Sequence, residues 1–364
     1  MGAEGLRVWH ACDWFVKYVA GLAVGLAENG CEVTLLTRDH DQEFGDERGA
    51  MRSFVAAATG GAVRHLELHG RVREPAGLRA TADLARLRRG FDPDVVHLQD
   101  SVTNDLRLAL ASGLPRQRYA LTVHDPVPHP GDEVHPRSLR LVRKALRGRA
   151  SLLFVHSQAL AGELAATGEV RAPIEVVPHG AATAAVSPPP ADSLLFFGRM
   201  SYYKGLDVLL DAMPAVWAER PQTKLTVAGE GDLPEHPALA DPRVEVRSEH
   251  VPESAVAPLF EAATCVVLPY RQASQSGVGT LAMQHGRPVI VTRLGGLPEL
   301  VGERRGRVVP SEDPVALSAA ILEVLSTEGL AEQLGREGAA FVEREIGWSA
   351  VAAKTVAAYD RHLL

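Results

Sequence analysis

Continuous apolar runs of strand length alternate with helix-patterned segments through most of the chain, and this alternation restricts the fold more than any other feature. "LRVWHA" (Leu6–Ala11) leads into an apolar-periodic segment from Trp14 to Glu28, which stops at Asn29-Gly30 before "EVTLLTR" starts at Glu32. Comparable runs begin at Val63, Asp94, Tyr119, Leu152 and Ile174. Unbroken apolar strands belong to parallel sheets covered on both faces. Strand, helix, strand in repetition specifies a doubly wound α/β fold.

The pattern breaks at "AATAAVSPPPAD" (Ala181–Asp192), where small residues and three prolines resist both core packing and helix. It restarts with runs at Ser193, Thr223, Val244, Thr264, Pro288 and Gly306. The chain of 364 residues is too long for one ordinary core. The reading is a first domain over residues 1–180, a linker over 181–192 and a second domain over 193–345. A C-terminal helix over 346–364 is expected to cross back to the first domain. Ligands of open parallel sheets bind beyond the strand C-termini, so two such domains are expected to face each other across a cleft.

Composition excludes several classes. A net charge of −7 gives no global reason to bind nucleic acid. No apolar run reaches membrane-spanning length, and the N-terminus lacks the order of a signal peptide. Three scattered cysteines, Cys12, Cys31 and Cys265, argue against a disulfide framework and for a reducing, cytoplasmic setting. Abundant Ala, Arg and Gly fit a high-GC bacterial genome.

In the second domain, "FFGRMSYYKGLDVLLDAM" places Gly198, Arg199 and Lys204 past a strand end and before a helix. A guanidinium fork and an ammonium there suit a diphosphate, although both could be solvated loop cations. "VAGEGDL" (Val227–Leu233) runs from a strand into a Gly-rich turn, "SQSGVG" opens a helix, and "TRLGGLPELV" gives a strand, a Gly-Gly turn and a helix. In this order they resemble the retaining glycosyltransferases of family 4, which have the GT-B architecture of two Rossmann-like domains. "DPDVVHLQ", "LTVHDP", "HSQALAGEL" and "IEVVPHG" resemble that family's N-terminal landmarks, so the likeness covers essentially the whole chain, most strongly Phe196–Val309.

The resemblance implies that Arg199 and Lys204 grip the donor diphosphate. It implies a nucleotide base near Gly229, Gly231 and Val251, and a phosphate at the helix N-terminus formed by Ser276, Gly277 and Val278. Glu299 is a candidate sugar or ribose acceptor, or simply a first-turn acid favoured by the helix dipole. The family usually carries two glutamates separated by seven residues in this segment. Aligning "GRPVI" with the family's Gly-x-Pro-Val-Ile puts Ala273 and Leu281 there. A shift of the loop would put Ser274 or Gln275 at the first, where Gln275 and Ser276 offer neutral hydrogen-bonding groups; backbone, His285 or Glu299 could serve the ribose in place of the second. Donor recognition should therefore differ from the family average.

In the first domain, "LTVHDPVPHPGDEVHPR" (Leu121–Arg137) holds His124, His129 and His135 with three acids, but neither its spacing nor its prolines suit a zinc helix. His124 ends a strand, and the resemblance puts a functional histidine there, close to the transferred sugar. Asp13, Lys17, Asp125 and His129 are the acceptor-side candidates, Asp13 also as a helix cap. The family's Gly-Gly turn is missing from "WHACDWFVKY". Arg140, Lys144 and Arg147 share one helical face that could meet an anionic membrane surface or remain solvated.

The expected function is metal-independent, retaining transfer of a sugar from a nucleotide-diphosphate sugar to a hydroxyl acceptor (glycan, lipid carrier or small aglycone), with no cofactor. The rivals are a catalytically inactive nucleotide-sugar-binding partner of another glycosyltransferase and a sugar-nucleotide epimerase. A nicotinamide dehydrogenase is disfavoured, because no G-x-G-x-x-G follows the first strand.

Overall fold

The computed structural model describes residues 5–44, 47–71, 74–127 and 137–364. The chain divides into two compact units. One holds the described residues up to Val127, those from Arg137 to Gly180, and Ile346–Leu364; the other holds Ala181–Glu345.

The first unit contains seven strands: β1 (Arg7–Cys12), β2 (Glu32–Arg38), β3 (Arg64–Leu68), β4 (Val95–Gln99), β5 (Ala120–Thr122), β6 (Leu152–Val155) and β7 (Ile174–Val176). They form one sheet in the order β3-β2-β1-β4-β5-β6-β7, and every pairing is parallel. The second unit has β8 (Ser193–Phe197), β9 (Lys224–Ala228), β10 (Val244–Arg247), β11 (Cys265–Leu268), β12 (Val289–Thr292) and β13 (Gly306–Val309). Their order, β10-β9-β8-β11-β12-β13, is again wholly parallel. Strand order reverses beside β1 in the first sheet and beside β8 in the second, and ligand crevices of such sheets open at that reversal.

Each sheet owns a core. Leu36, Val96, Leu98, Leu121 and Leu153 anchor the first, and Leu194, Phe196, Leu209, Leu225 and Val267 the second. The proline-rich segment 181–192 is not detached from its unit. Arg287 is fully buried and donates to the Ser187 carbonyl (3.0 Å) and hydroxyl (2.9 Å), while Thr264 donates to the Pro190 carbonyl at 2.7 Å. Backbone polar groups that no sheet satisfies are met here by side chains.

In the first unit, the C-terminal helix Trp348–His362 lies against the helix Val16–Glu28. A Cβ on Gly21 or Gly180 would fall 2.1 to 2.2 Å from the Trp348 ring, and one on Gly25 would fall 2.2 Å from the Trp348 carbonyl oxygen. Glycine at these positions lets an indole and a neighbouring backbone come close. Gly25→Ala should gain up to about 1 kcal/mol of helix propensity yet lose about 1–3 kcal/mol to overpacking against a rigid backbone. Urea denaturation should therefore show net destabilisation; a stabilised variant would contradict this packing.

Candidate functional site

Beside the switch point of the second sheet, the chain leaves β8 through Gly198 and Arg199 and enters a single 3₁₀ turn, Tyr202–Lys204. Lys204 is 8% exposed, and its ammonium makes no hydrogen bond or ion pair among the described residues. Its Nζ lies 5.5 Å from the centre of the Tyr270 ring. A Cβ on Gly198 would fall 2.5 Å from the same nitrogen, so the glycine leaves room for the ammonium. Burial, reinforced by the nearby positive charge of Arg199, lowers the Lys204 pKa to about 8. Arg199 itself is exposed and unpaired among the described residues. A buried cation without a counter-ion is costly to keep.

The loop after β11 forms the other side. Ser276 caps the helix Gly277–Gln284, its hydroxyl accepting from the Gly279 N–H at 3.1 Å. Val278 packs toward the Lys204 side, its Cγ2 lying 3.6 Å from where a Gly198 Cβ would sit. The structure thus brings together Gly198, Lys204, Tyr270, Ser276 and Val278. The first turn of this helix leaves N–H groups free to meet an anion.

Gly229 and Gly231 flank this turn with φ of 141° and 127°. A Cβ on Gly229 would strike the Gly198 carbonyl at 2.3 Å, and one on Gly231 the Met200 carbonyl at 2.4 Å. Val251 lies half-buried between β10 and the helix Glu253–Glu261. Gln275 is half-buried in the loop before Ser276. Glu299 is exposed on the first turn of the helix Leu297–Val301. His285 does not join the group. It closes the far end of the helix that Ser276 opens and stacks on Phe260, about 12 Å along at 1.5 Å per residue.

The first unit gathers a buried cluster that sequence reasoning reached at only one residue. His124 follows β5, but Gln99 Oε1 lies 2.7 Å from its Nε2 and His156 Nε2 lies 3.0 Å from its Nδ1. Phe15 stacks on its ring at 3.8 Å. In this arrangement His124 has no free ring nitrogen for a sugar hydroxyl, which corrects the expectation of an open catalytic group. The physical reason lies in the first turn. In place of glycines it has Phe15, held at φ 67°. Gln99 reaches on to His10 at 2.7 Å, and His10 stacks on His97, which contacts the Tyr359 hydroxyl at 2.6 Å. His179 and Tyr18 complete the cluster. The signal was present in the sequence: β1, β4, β5, β6 and β7 each carry one of these histidines within them or just beyond their ends.

Other acceptor-side expectations also change. Asp13 does not cap the helix after β1; it is buried, with Arg38 Nε 3.0 Å away. Glu43 takes the capping role, accepting from the N–H groups of Val16 (2.8 Å) and Lys17 (3.2 Å). The Lys17 ammonium lies over the rings of Phe44 and Phe54. Asp125 is half-buried, and its carbonyl accepts from Arg147. Arg147 is buried and pairs with Asp100 at 2.6 Å, so the cationic face read on the helix Arg137–Arg149 shrinks to Arg140 and Lys144. His129 and His135 lie outside the described residues. Asp39, Glu67 and His69 approach one another closely enough to share an ion, but Arg52 already occupies both Glu67 oxygens. Among the described residues no single helix is long and apolar enough to cross a membrane.

Two doubly wound parallel sheets in one chain, the second with a buried cation at its switch point, define the GT-B class of fold. Solved structures share it over nearly the full chain. Sucrose-phosphate synthase from Thermosynechococcus elongatus matches with a TM-score of 0.73 at 20% identity, covering 98% of both chains. Anabaena HepE in complex with UDP-glucose matches with a TM-score of 0.72 at 17% identity, covering 97% of this chain and 99% of that one. The model of the glycosyl transferase 4-like domain matches residues 16–180, and that of glycosyl transferases group 1 matches residues 191–327. A D-inositol 3-phosphate glycosyltransferase of Streptomyces scabiei is 28% identical over 394 residues, covering 94% of this chain and 85% of that one. An uncharacterized glycosyltransferase of Methanocaldococcus jannaschii is 31% identical over 174 residues, 46% of this chain and less than half, 44%, of that protein. The chain belongs to the group 1 glycosyl transferases.

The histidine cluster sets an acid limit on stability. Burial lowers His10 to about 3, His156 to about 4 and His179 to about 3, and pushes His97 and His124 down as well. The unfolded chain takes up these protons near pH 6.5, whereas the folded chain does not. Stability is therefore full above that pH and is lost as the pH falls toward the folded values. Each buried imidazole should cost roughly 1–2 kcal/mol between pH 7 and pH 5. Urea midpoints that stay level across that range would show the rings to be solvated.

Proposed function

We propose that this protein is a retaining glycosyltransferase that moves a hexosyl group from a nucleotide-diphosphate sugar to a hydroxyl acceptor without a metal. The observation that carries the reading is Lys204, an ammonium buried against Gly198 and Tyr270 with no counter-ion among the described residues. In group transfer from a diphosphate, negative charge grows on the departing phosphate oxygen. Preplaced cations and amide dipoles that meet this charge supply the largest share of rate enhancement. Lys204 would meet one oxygen, Arg199 another, and the amides behind Ser276 the distal phosphate. The acceptor hydroxyl would approach on the face the diphosphate leaves, passing its proton to a departing phosphate oxygen. That route needs no side-chain base, so the engaged nitrogens of His124 do not obstruct it. His124 would instead hold the floor of the acceptor side in shape.

Ala273 and Leu281 bear on the donor. Neither can accept a hydrogen bond from a sugar or ribose hydroxyl, so neutral groups such as Gln275 and the backbone would take that role. The same two residues favour a second reading, an inactive nucleotide-sugar-binding partner of another glycosyltransferase. Slow hydrolysis of UDP-glucose, GDP-mannose or another nucleotide sugar by the pure protein supports the enzyme; binding without any hydrolysis or transfer supports the partner. D-inositol 3-phosphate belongs in the acceptor panel because related enzymes bear its name.

Lys204→Ala should lower kcat by roughly 10²–10³, and Arg199→Ala should act in the same direction. Turnover equal to the parent in either variant would remove that cation from the phosphate site. The correct nucleoside diphosphate should also raise the thermal midpoint through mass action.

A further inference from the structure

Arg271 stands three residues beyond β11, in the loop that leads to Ser276. Its side chain is engaged within the protein. Both terminal nitrogens are spent on Asp207, at 2.7 and 2.8 Å, and Nε reaches Glu312 at 3.0 Å. One terminal nitrogen also donates to the Tyr202 carbonyl at 3.1 Å, and the guanidinium lies 4.3 Å from the Tyr202 ring centre. Its backbone N–H donates to the Tyr203 carbonyl at 2.7 Å. Two carboxylates neutralise the guanidinium, and every polar contact it makes within the 3₁₀ turn is to the residues just before Lys204.

The geometry points to Arg271 as a positioning residue: through Asp207 and the Tyr202–Tyr203 carbonyls it locks the turn that carries Lys204 to the loop that carries Ser276. This rests on the reading of Lys204 as the phosphate cation. The lock joins the two parts of the site at three places. The guanidinium grips the turn from outside, Asp207 ties in the first turn of the helix Leu206–Glu219, and Gly205, at φ 67°, lies flat against the Pro269 carbonyl. A Cβ on Gly205 would come within 2.1 Å of that oxygen. Arginine is needed because its planar fork meets a carboxylate at two points, which a lysine cannot do.

The test separates positioning from direct charge. The probe is inorganic pyrophosphate, with affinity measured by calorimetry on the full chain from pH 7 to 9.5 for the parent, Arg271→Lys, Asp207→Asn, the double variant and Lys204→Ala. Positioning predicts a loss of about tenfold or more for Arg271→Lys, although the charge is kept. It predicts a similar loss for Asp207→Asn, although removing a negative charge would by itself favour an anion. The double variant should be no worse than either single one, as for two residues acting through one contact. In the parent, affinity should fall as pH rises past about 8. In the variants that fall should move to higher pH, because a released Lys204 is better solvated; a merely destabilised fold would not move it. Asp207→Asn is the milder change and keeps the test decisive if Arg271→Lys folds poorly. Parent-like binding in both single variants, alongside lost binding in Lys204→Ala, overturns the positioning role alone. Parent-like binding in Lys204→Ala, or no binding by the parent, overturns the reading of Lys204 and this inference with it.

Discussion

An ammonium with no counter-ion among the described residues sits beside the switch point of the second sheet, and the surrounding architecture makes sense as a means of keeping it there. Lys204 is exposed on neither side of its turn, and burial has already drawn its pKa to about 8. Holding such a charge costs stability. The cost is local, and the supports are local too. Gly198 leaves space for the nitrogen, Tyr270 offers a ring face, and Arg271 pins the backbone just before it. Preorganisation of this kind trades stability for electrostatic work on a departing anion.

The first unit is organised on a different principle. Its switch-point region is filled with aromatic and imidazole rings rather than lined with cations. His10, His97, His124 and His156 are joined through Gln99, Tyr359 and ring stacking, and Phe15 closes the cluster from above. The carboxylate of Glu43 occupies the amides at the start of the helix Val16–Glu28. The anion-binding potential of that helix end is thus spent internally, whereas the helix after Ser276 keeps its own. One fold, built twice in a chain, places a buried lysine beside its switch point only in the second copy, among the described residues.

Much of this was legible in the sequence because it follows from period and order. Continuous apolar runs announced two parallel sheets, and "FFGRMSYYKG" announced cations beyond a strand end. Glycines at 198, 229 and 231 marked places where only a missing Cβ permits the observed approach. What stayed hidden were pairings between residues far apart in the chain. Nothing local says that Glu43, rather than Asp13, caps the first helix, or that Arg271 is neutralised by Asp207 and Glu312. Arg147 read as a solvated cation because helical periodicity assigns a face, and only tertiary contact with Asp100 shows that the face is buried. His285 stood beside the backbone and Glu299 as an alternative for the ribose, yet a helix carries it to the end opposite Ser276.

The account depends on Lys204 being a buried cation that waits for an anion, and its titration is the most direct test. With lysine labelled at Cε, its resonance can be followed against pH in the free protein and with saturating pyrophosphate. The account predicts a midpoint near 8 in the free protein, moving well upward when the anion binds. A midpoint near the ordinary lysine value of about 10.4, unmoved by pyrophosphate, would contradict it.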